Sequence, residues 1–349
     1  MSTLQLKSQL RLDRLAIWVE DIEKTAAFFT NIIGWKRHPM EIDIDEPSVG
    51  VMKATLIAGN GLWLELVQPI SEGPGMDILK EKGNGAFIEF DIEALGSDYD
   101  KILDTMESDG IEMLGMDGSP LVNGGLIAEG IEGEAEDIGL RIAYWPTDLT
   151  GGTPIELYSR DMDDKTNVLN VRDKIWEGQK SDPRTPRINH CCVIVKDLQK
   201  TTKFYQNIMG WQLSPENFDL TEEDEKVGKL KINYVYTNNE GVWLELVQPV
   251  GPGPVMDYLT EQGEGCIAEI AIEVEDLGAY YDKMKAIGIQ LLDIDWEPLS
   301  DEHKYQVLPD GDKIAYFPSD VACGMVIELI ERTSKETGIL SRLYARSLE

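Results

Sequence analysis

Histidine, cysteine and positive charge are all scarce in this chain of 349 residues. It has three His and four Cys, and 32 Lys plus Arg stand against 64 Asp plus Glu, a formal net charge of −32. The shortage of cations excludes nucleic acid as a partner, because phosphate binding depends on Lys and Arg that release counterions. It also disfavours an anionic membrane surface. No apolar run approaches the ~18 residues of a membrane span, and the N-terminal MSTLQLKSQL lacks the apolar stretch of a signal peptide. Cys191, Cys192, Cys266 and Cys323 show no CxxC spacing and all fall in the second half, a poor disulfide framework. These lacks point to a soluble cytoplasmic protein with reduced thiols, no nucleic acid partner and no membrane partner. The rest is ordinary globular material: 42% hydrophobic with 8 Trp, 12 Tyr and 7 Phe, enough to bury a core. The length suits two domains.

The two domains are copies of one another. Arg11–Ile22 (RLDRLAIWVEDI) matches Arg187–Leu198 (RINHCCVIVKDL), and Trp63–Pro69 (WLELVQP) recurs letter for letter as Trp243–Pro249. Gly73–Asp77 and Gly253–Asp257 share Gly-Pro-x-Met-Asp, and Gly83–Glu89 matches Gly263–Glu269. Ile142–Asp148 with Ile155–Leu157 matches Ile314–Asp320 with Ile327–Leu329. The expected layout is a domain at 10–160, a charged, Pro-ended linker at 161–186, a domain at 187–333 and a tail at 334–349. Within a copy the periods alternate. In the second, 187–196 reads as a strand and 198–209 as a helix closed by Gly210. Residues 231–237 and 241–247 read as a strand pair, 269–274 as a strand, and 277–287 as a helix ended by Gly288. Strands are expected again at 289–295, 313–317 and 325–330, and the acidic 216–226 as a solvated insertion. Each copy is thus two βαβββ halves.

This organisation resembles the vicinal oxygen chelate superfamily, the glyoxalase and extradiol dioxygenase group. Local similarity is greatest to its methylmalonyl-CoA epimerase branch. The carrying residues are Asn189-His190 with Val195–Leu198, Leu244–Pro249, Gly263–Gly265 through Ile270–Leu277, Phe317–Asp320 and Val326–Ile330. The likeness spans nearly everything but the tails and linker. It implies an α+β fold: four βαβββ modules forming two glyoxalase-like domains with cupped mixed sheets.

The resemblance further implies metal ligands at four inward-facing strand positions, which in the second copy are His190, Glu245, Glu269 and Glu328. One imidazole and three carboxylates suit one hard or borderline divalent metal ion (Mn, Mg, Fe, Co, Ni or Zn), with positions left for water or substrate. Glu245 and Glu328 lie inside apolar runs, where a bare carboxylate is costly. The plainer alternative is that these acids are neutral or pair with Lys or Arg. Glu269 departs from the family pattern, since glyoxalase and epimerase members usually carry His there. Extradiol dioxygenases need two His and a carboxylate, and His38 and His303 fall off the ligand positions.

The matching positions of the first copy are Arg14, Glu65, Glu89 and Glu156. Arginine cannot ligate a cation, but its guanidinium can take the cation's place among carboxylates. The expectation is a metal-free pseudo-site; the alternative is an Arg14 that points to solvent.

A chelating metal acts as a Lewis acid toward vicinal substrate oxygens. Glu269 is the first candidate to move a proton and Glu328 the second. His303, in the 300–312 loop, is a candidate mobile acid or base, or else a solvated loop residue. Tyr234, Tyr236 and Cys192 are candidates for lining the substrate pocket, against a plain packing role. The irregular 117–137 and 300–312 segments read as lids or interface loops. These readings lead to a metal-dependent isomerase, epimerase or lyase for a small oxygenated substrate, working as a monomer or homodimer. The alternatives are an extradiol-type dioxygenase and a non-catalytic small-molecule binder. The acidic charge weighs against carrying a polyanionic coenzyme A substrate over from the epimerase likeness.

Overall fold

The computed structural model describes residues 10–332 apart from 40, 47–48, 61, 95–97, 126–140, 160–183, 221–227, 238–240 and 309–310. Most of the expected linker, the whole expected tail and the later part of the 117–137 loop therefore lie outside the described residues.

Each copy builds one mixed eight-stranded sheet. The first uses β1 (Leu10–Trp18), β2 (Lys36–Arg37), β3 (Ile42–Glu46), β4 (Gly50–Ala58), β5 (Trp63–Pro69), β6 (Phe87–Ala94), β7 (Arg141–Tyr144) and β8 (Ile155–Ser159). The second uses β9 (Arg187–Ile194), β10 (Gln212–Leu220), β11 (Leu230–Tyr236), β12 (Trp243–Pro249), β13 (Ile267–Glu273), β14 (Gln306–Val307), β15 (Lys313–Tyr316) and β16 (Ile327–Glu331). The two modules of a copy join where β1 meets β6 and β9 meets β13, both antiparallel. Parallel β5 and β8 flank the seam in the first copy, and β12 and β16 in the second. The fold is thus the expected pair of glyoxalase-like domains.

The repeated Asp after each first strand has a local cause. Asp21, Asp197 and Asp276 are helix N-caps whose carboxylates accept from the backbone N–H three residues on, satisfying a donor that the helix leaves open. Along β12, Leu244 and Leu246 join the main core, while Trp243, Glu245 and Val247 face the concave side. The same alternation places His190, Cys192, Glu269, Ala271 and Glu328 on that concave face, opposite Cys191, Val193, Ile270, Ile272, Ile327 and Leu329 in the core.

One core cluster runs through both copies, and the copies meet through matched contacts. Phe28 packs edge-on against Phe317, as Phe204 does against Trp145. The Trp35 indole donates to the Pro186 carbonyl, and the Trp211 indole to that of Leu10. Gly324 lies against Asn84, and Gly152 against Glu264, so closely that a Cβ at either would overlap the neighbouring backbone. A cavity of about 510 Å³ lies between the copies and reaches both Glu89 and Glu269; Trp18, Lys82, Tyr258 and Cys266 also line it.

Two local expectations need correcting. Residues 212–220 form an edge strand paired with β11, so only the later part of the acidic 216–226 stretch stays outside the sheet description. Residues 289–295 give an isolated bridge at Leu292 rather than a strand. The Asp293 carboxylate accepts from the N–H groups of Asp295 and Glu297 and turns the chain back at once. No described helix is long and apolar enough to cross a membrane.

Candidate metal centre

In the second domain four side chains from four strands converge. His190 Nε2 lies 3.7 Å from Glu245 Oε2, 3.6 Å from Glu269 Oε1 and 3.7 Å from Glu328 Oε2. These spacings exceed hydrogen-bond length; the four groups surround a common point. The sheet register explains the convergence. Glu328, Ala271, His190 and Trp243 form one row across the strands, and Glu269, Cys192 and Glu245 the next. The small Ala271 leaves room beside the imidazole.

A β-bulge aims the histidine. β9 shifts register against β13 between Ile188 and His190, leaving Asn189 unpaired in the ladder. The Asn189 amide donates to Glu273 Oε2 at 2.8 Å, and its oxygen faces His190 Nδ1 at 3.0 Å. A carboxylate only accepts, so the amide orientation follows, and with it a His190 that donates from Nδ1 and turns Nε2 toward the three acids. Glu273 is in turn held by Arg187 and Arg332, and these cations with the two hydrogen bonds bring its carboxyl below the ordinary range against its burial. Such outer partners fix ligand orientation in metal sites.

Two tyrosines brace two of the acids. Tyr234 donates to Glu245 Oε1 at 3.2 Å and Tyr316 to Glu328 Oε1 at 3.3 Å. Burial, then the neighbouring Glu269 and Glu245, push the Glu328 carboxyl well above its ordinary range. Burial raises Glu245 as well, against the pull of His190. Among the described residues no Lys or Arg pairs with Glu245, Glu269 or Glu328, so the alternative of Lys or Arg partners fails for all three. The half-buried Glu245 and Glu269 and the buried Glu328 around one imidazole nitrogen, with no Lys or Arg paired to them among the described residues, fit a divalent ion in charge and donor type. Glu269 is the most exposed of the four, at 19%, and it borders the cavity between the copies.

The other expected site residues divide. Cys192 sits between Glu245 and Glu269 in the register; burial and those two acids push its thiol well above the ordinary value, so it is a neutral wall residue rather than a nucleophile. Tyr236 packs at 4.8 Å, tilted by 51°, on Trp243, in the row of His190. His303 stays away from the cluster. It is exposed in a turn closed on Ser300, and its neighbours Asp301 and Lys304 pair with Lys285 and Asp282 of the helix Leu277–Ala286. That helix packs on the core side of the sheet, opposite the concave face.

In the first domain Arg14 does not point to solvent. Its side chain is 11% exposed, with Nη1 at 3.2 Å from Glu65, Nη2 at 3.2 Å from Glu156 and Nε at 2.5 Å from Asp91. Tyr144 donates to Glu156 at 2.8 Å, in the place of Tyr316. The fourth acid, Asp91, escaped the sequence reading. It occupies the position of Ala271, and its signal was the alternation of Glu89, Asp91 and Glu93 along β6, three acids on one strand face. Burial is the largest cause lifting the Glu89, Asp91 and Glu156 carboxyls above their ordinary range.

Residues 187–305 match the family model of the Glyoxalase/Bleomycin resistance protein/Dioxygenase superfamily. The chain is 28% identical to the mitochondrial methylmalonyl-CoA epimerase of Mus musculus over 154 residues, 43% of this chain and 77% of that protein. It is 29% identical to the ethylmalonyl-CoA/methylmalonyl-CoA epimerase of Cereibacter sphaeroides over 107 residues, 30% of this chain and 74% of that protein. A variant of 4-hydroxymandelate synthase from Streptomyces coelicolor shares the two-domain fold, with a TM-score of 0.58 at 14% identity over 97% of this chain and 99% of that one.

Proposed function

We propose that the second domain is the active domain of a divalent-metal-dependent enzyme that moves a proton on a small oxygenated substrate, as an epimerase, isomerase or lyase. The observation that carries this reading is His190 Nε2 within 3.7 Å of three carboxylates from three further strands, with no fixed cation among them.

A divalent ion held by His190, Glu245, Glu269 and Glu328 would supply Lewis-acid polarisation of substrate oxygens. Asn189 and the Glu273 pair behind it fix the imidazole, and Tyr234 and Tyr316 fix Glu245 and Glu328 by donating to their outer oxygens. Among the described residues no tyrosine braces Glu269 in this way. It is the most exposed of the four and borders free space, so it is the carboxylate placed to take a proton from the carbon beside a substrate carbonyl and return it. Glu328, buried and braced, serves better as a holding group.

A facial triad of two His and one carboxylate, the Fe(II) oxygenase arrangement, is not what these strands present. The epimerase relatives raise the weight of proton chemistry. Coenzyme A carries several negative charges, however, and a chain at −32 repels it at long range. The substrate class proposed is therefore a small neutral or weakly anionic carbonyl or hydroxy compound. The first domain is proposed as a metal-free counterpart in which Arg14 takes the cation's place.

The test is metal analysis of the purified, metal-replete protein, followed by solvent deuterium exchange into candidate substrates. One ion per chain, lost in His190→Ala, together with exchange at the carbon beside a carbonyl, is expected. No bound ion sinks the proposal.

A further inference from the structure

Trp296 stands out because of its twin. The turns Asp293–Trp296 and Gly115–Gly118 occupy the same place in the two copies, each after a leucine bridged to the site tyrosine: Leu292 to Tyr316 and Leu114 to Tyr144. Each closes on a backbone hydrogen bond of 3.0 Å, from Trp296 N–H to the Asp293 carbonyl and from Gly118 N–H to the Gly115 carbonyl. Both fourth residues are left-handed, Gly118 at φ 74° and Trp296 at φ 62°. Glycine adopts that conformation freely, and a bulky L-residue does not. The second copy therefore keeps a tryptophan where the backbone asks for glycine and where the first copy has one.

The indole is not there to fill the core, since Trp296 is 51% exposed. One face packs on Tyr316, with ring centroids 5.4 Å apart and planes at 48°. Tyr316 is the residue whose hydroxyl holds Glu328. From the centre of the site outward the order is Glu328, Tyr316, Trp296. Tyr316 packs with Ile314, Ile330 and Leu292 on the concave side of the sheet, and the exposed indole rests on that tyrosine. The first domain, where Arg14 fills the centre, has the matching tyrosine but no aromatic ring at the turn. Strained backbone is kept where the surroundings or a function require it, and no packing need is visible for this one.

We propose that Trp296 is a specificity-determining residue: an aromatic platform that stacks a planar, conjugated or aryl group of the substrate while the substrate's oxygens are held at the proposed metal centre. This rests on the function proposed above. It adds that the substrate carries an unsaturated ring or comparable flat apolar group beside its oxygens. Flat groups stack on indole in offset or tilted geometry, beyond what area burial alone gives.

The experiment uses two redox-inert probes with the same vicinal oxygens, acetohydroxamate and benzohydroxamate, titrated calorimetrically into the Mn²⁺-loaded full chain. Each affinity is taken relative to the probe's affinity for free Mn²⁺. The wild type is expected to prefer the phenyl probe by about tenfold, the order of one good aromatic contact plus its buried area. Trp296→Gly installs the residue that the first copy uses, so the fold should persist. It should leave acetohydroxamate within about twofold of wild type and reduce the phenyl preference to about twofold. Trp296→Phe should restore most of the preference. An equal phenyl preference in wild type and Trp296→Gly overturns the platform, as does no preference in the wild type with acetohydroxamate bound; either result leaves the metal reading standing. If Mn²⁺ itself does not bind, or neither probe binds, both readings fall.

Discussion

Replacing Arg14 with Met keeps the length of the side chain and removes its charge. The guanidinium lies inside the first sheet, at most 3.2 Å from carboxylates of Glu65, Asp91 and Glu156, with 11% of its side chain exposed. Breaking a buried ion pair by deleting one partner costs about 3–5 kcal/mol, because a charge is left uncompensated. For a domain of this size that corresponds to a fall in Tm of roughly 6–20 °C. The pH dependence gives the cause a signature. Burial already raises Glu89, Asp91 and Glu156 in the native protein, and loss of the cation raises Asp91 and Glu156 further. A carboxyl whose folded pKa is raised binds more protons folded than unfolded. Its destabilisation is absent below the ordinary carboxylate range and grows as pH climbs toward the raised value. The deficit of Arg14→Met should therefore be smaller at pH 5 than at pH 8. A second signature comes from cations. Oxygens of Glu89, Asp91 and Glu156 lie within 4.8 Å of one another, so the variant, unlike the wild type, should gain first-domain stability from added Mn²⁺, about 2.7 kcal/mol at a hundredfold excess over Kd. Scanning calorimetry at the two pH values, with EDTA and with Mn²⁺, reads all of this. A loss below ~1 kcal/mol, or a larger one indifferent to both pH and Mn²⁺, would refute the idea that Arg14 stands in for an ion.

The remaining predictions concern the second domain and the contact between the copies. His190→Ala should abolish binding of the single expected ion, read by elemental analysis and calorimetric titration; a second ion in the wild type, retained by this variant, would contradict the assignment of the first domain. Asn189→Ala, which never touches the ion, should weaken Mn²⁺ binding by about 10–100-fold through loss of imidazole orientation, whereas an unchanged titration would show that the bulge contact is incidental. Gly324→Ala adds a Cβ to a residue at φ 90° that would overlap the Asn84 carbonyl, and should cost about 2–4 kcal/mol in urea unfolding. A neutral result there would mean that the copies dock less rigidly than their matched contacts imply.

Much of this was legible because duplication supplies its own control. Letter-for-letter repeats such as WLELVQP fixed the strand positions, and carboxylates inside apolar runs marked Glu245 and Glu328 as needing a partner. What stayed hidden depends on geometry across strands. Asp91 looks like one acid among 64 until the ladder sets it opposite Arg14 and Glu156. Asn189 precedes the histidine by one residue and on a regular strand would point to the other face; only the bulge puts it beside the ring. His303 invited a role because histidine is rare, yet rarity says nothing about which face a loop occupies. The ion pairs Asp301–Lys285 and Asp282–Lys304 decide that, and they join residues 16 and 22 positions apart.

The two centres can then be read as alternative answers to one electrostatic problem. Both sheets bring inward carboxylates to the same rows of the ladder, and burial alone makes such a cluster unfavourable in either copy. The first copy solves it covalently: Arg14 carries a permanent charge, and the extra acid Asp91 lies beside its Nε as a third ion-pair partner. In the second copy the small pair Ala271 and His190 replaces Asp91 and Arg14, and the neutralising charge we propose there is a recruited, exchangeable ion. A fixed cation stabilises one half of the molecule, and a recruited one would give the other half its chemistry. It follows that Arg14→His combined with Asp91→Ala, which installs the second copy's residues in the first, should produce a second divalent-ion site that titrates independently of His190. If that double variant binds no second ion while folding normally, the carboxylate frame is not equivalent in the two copies, and the reading of the second centre would lose its internal control.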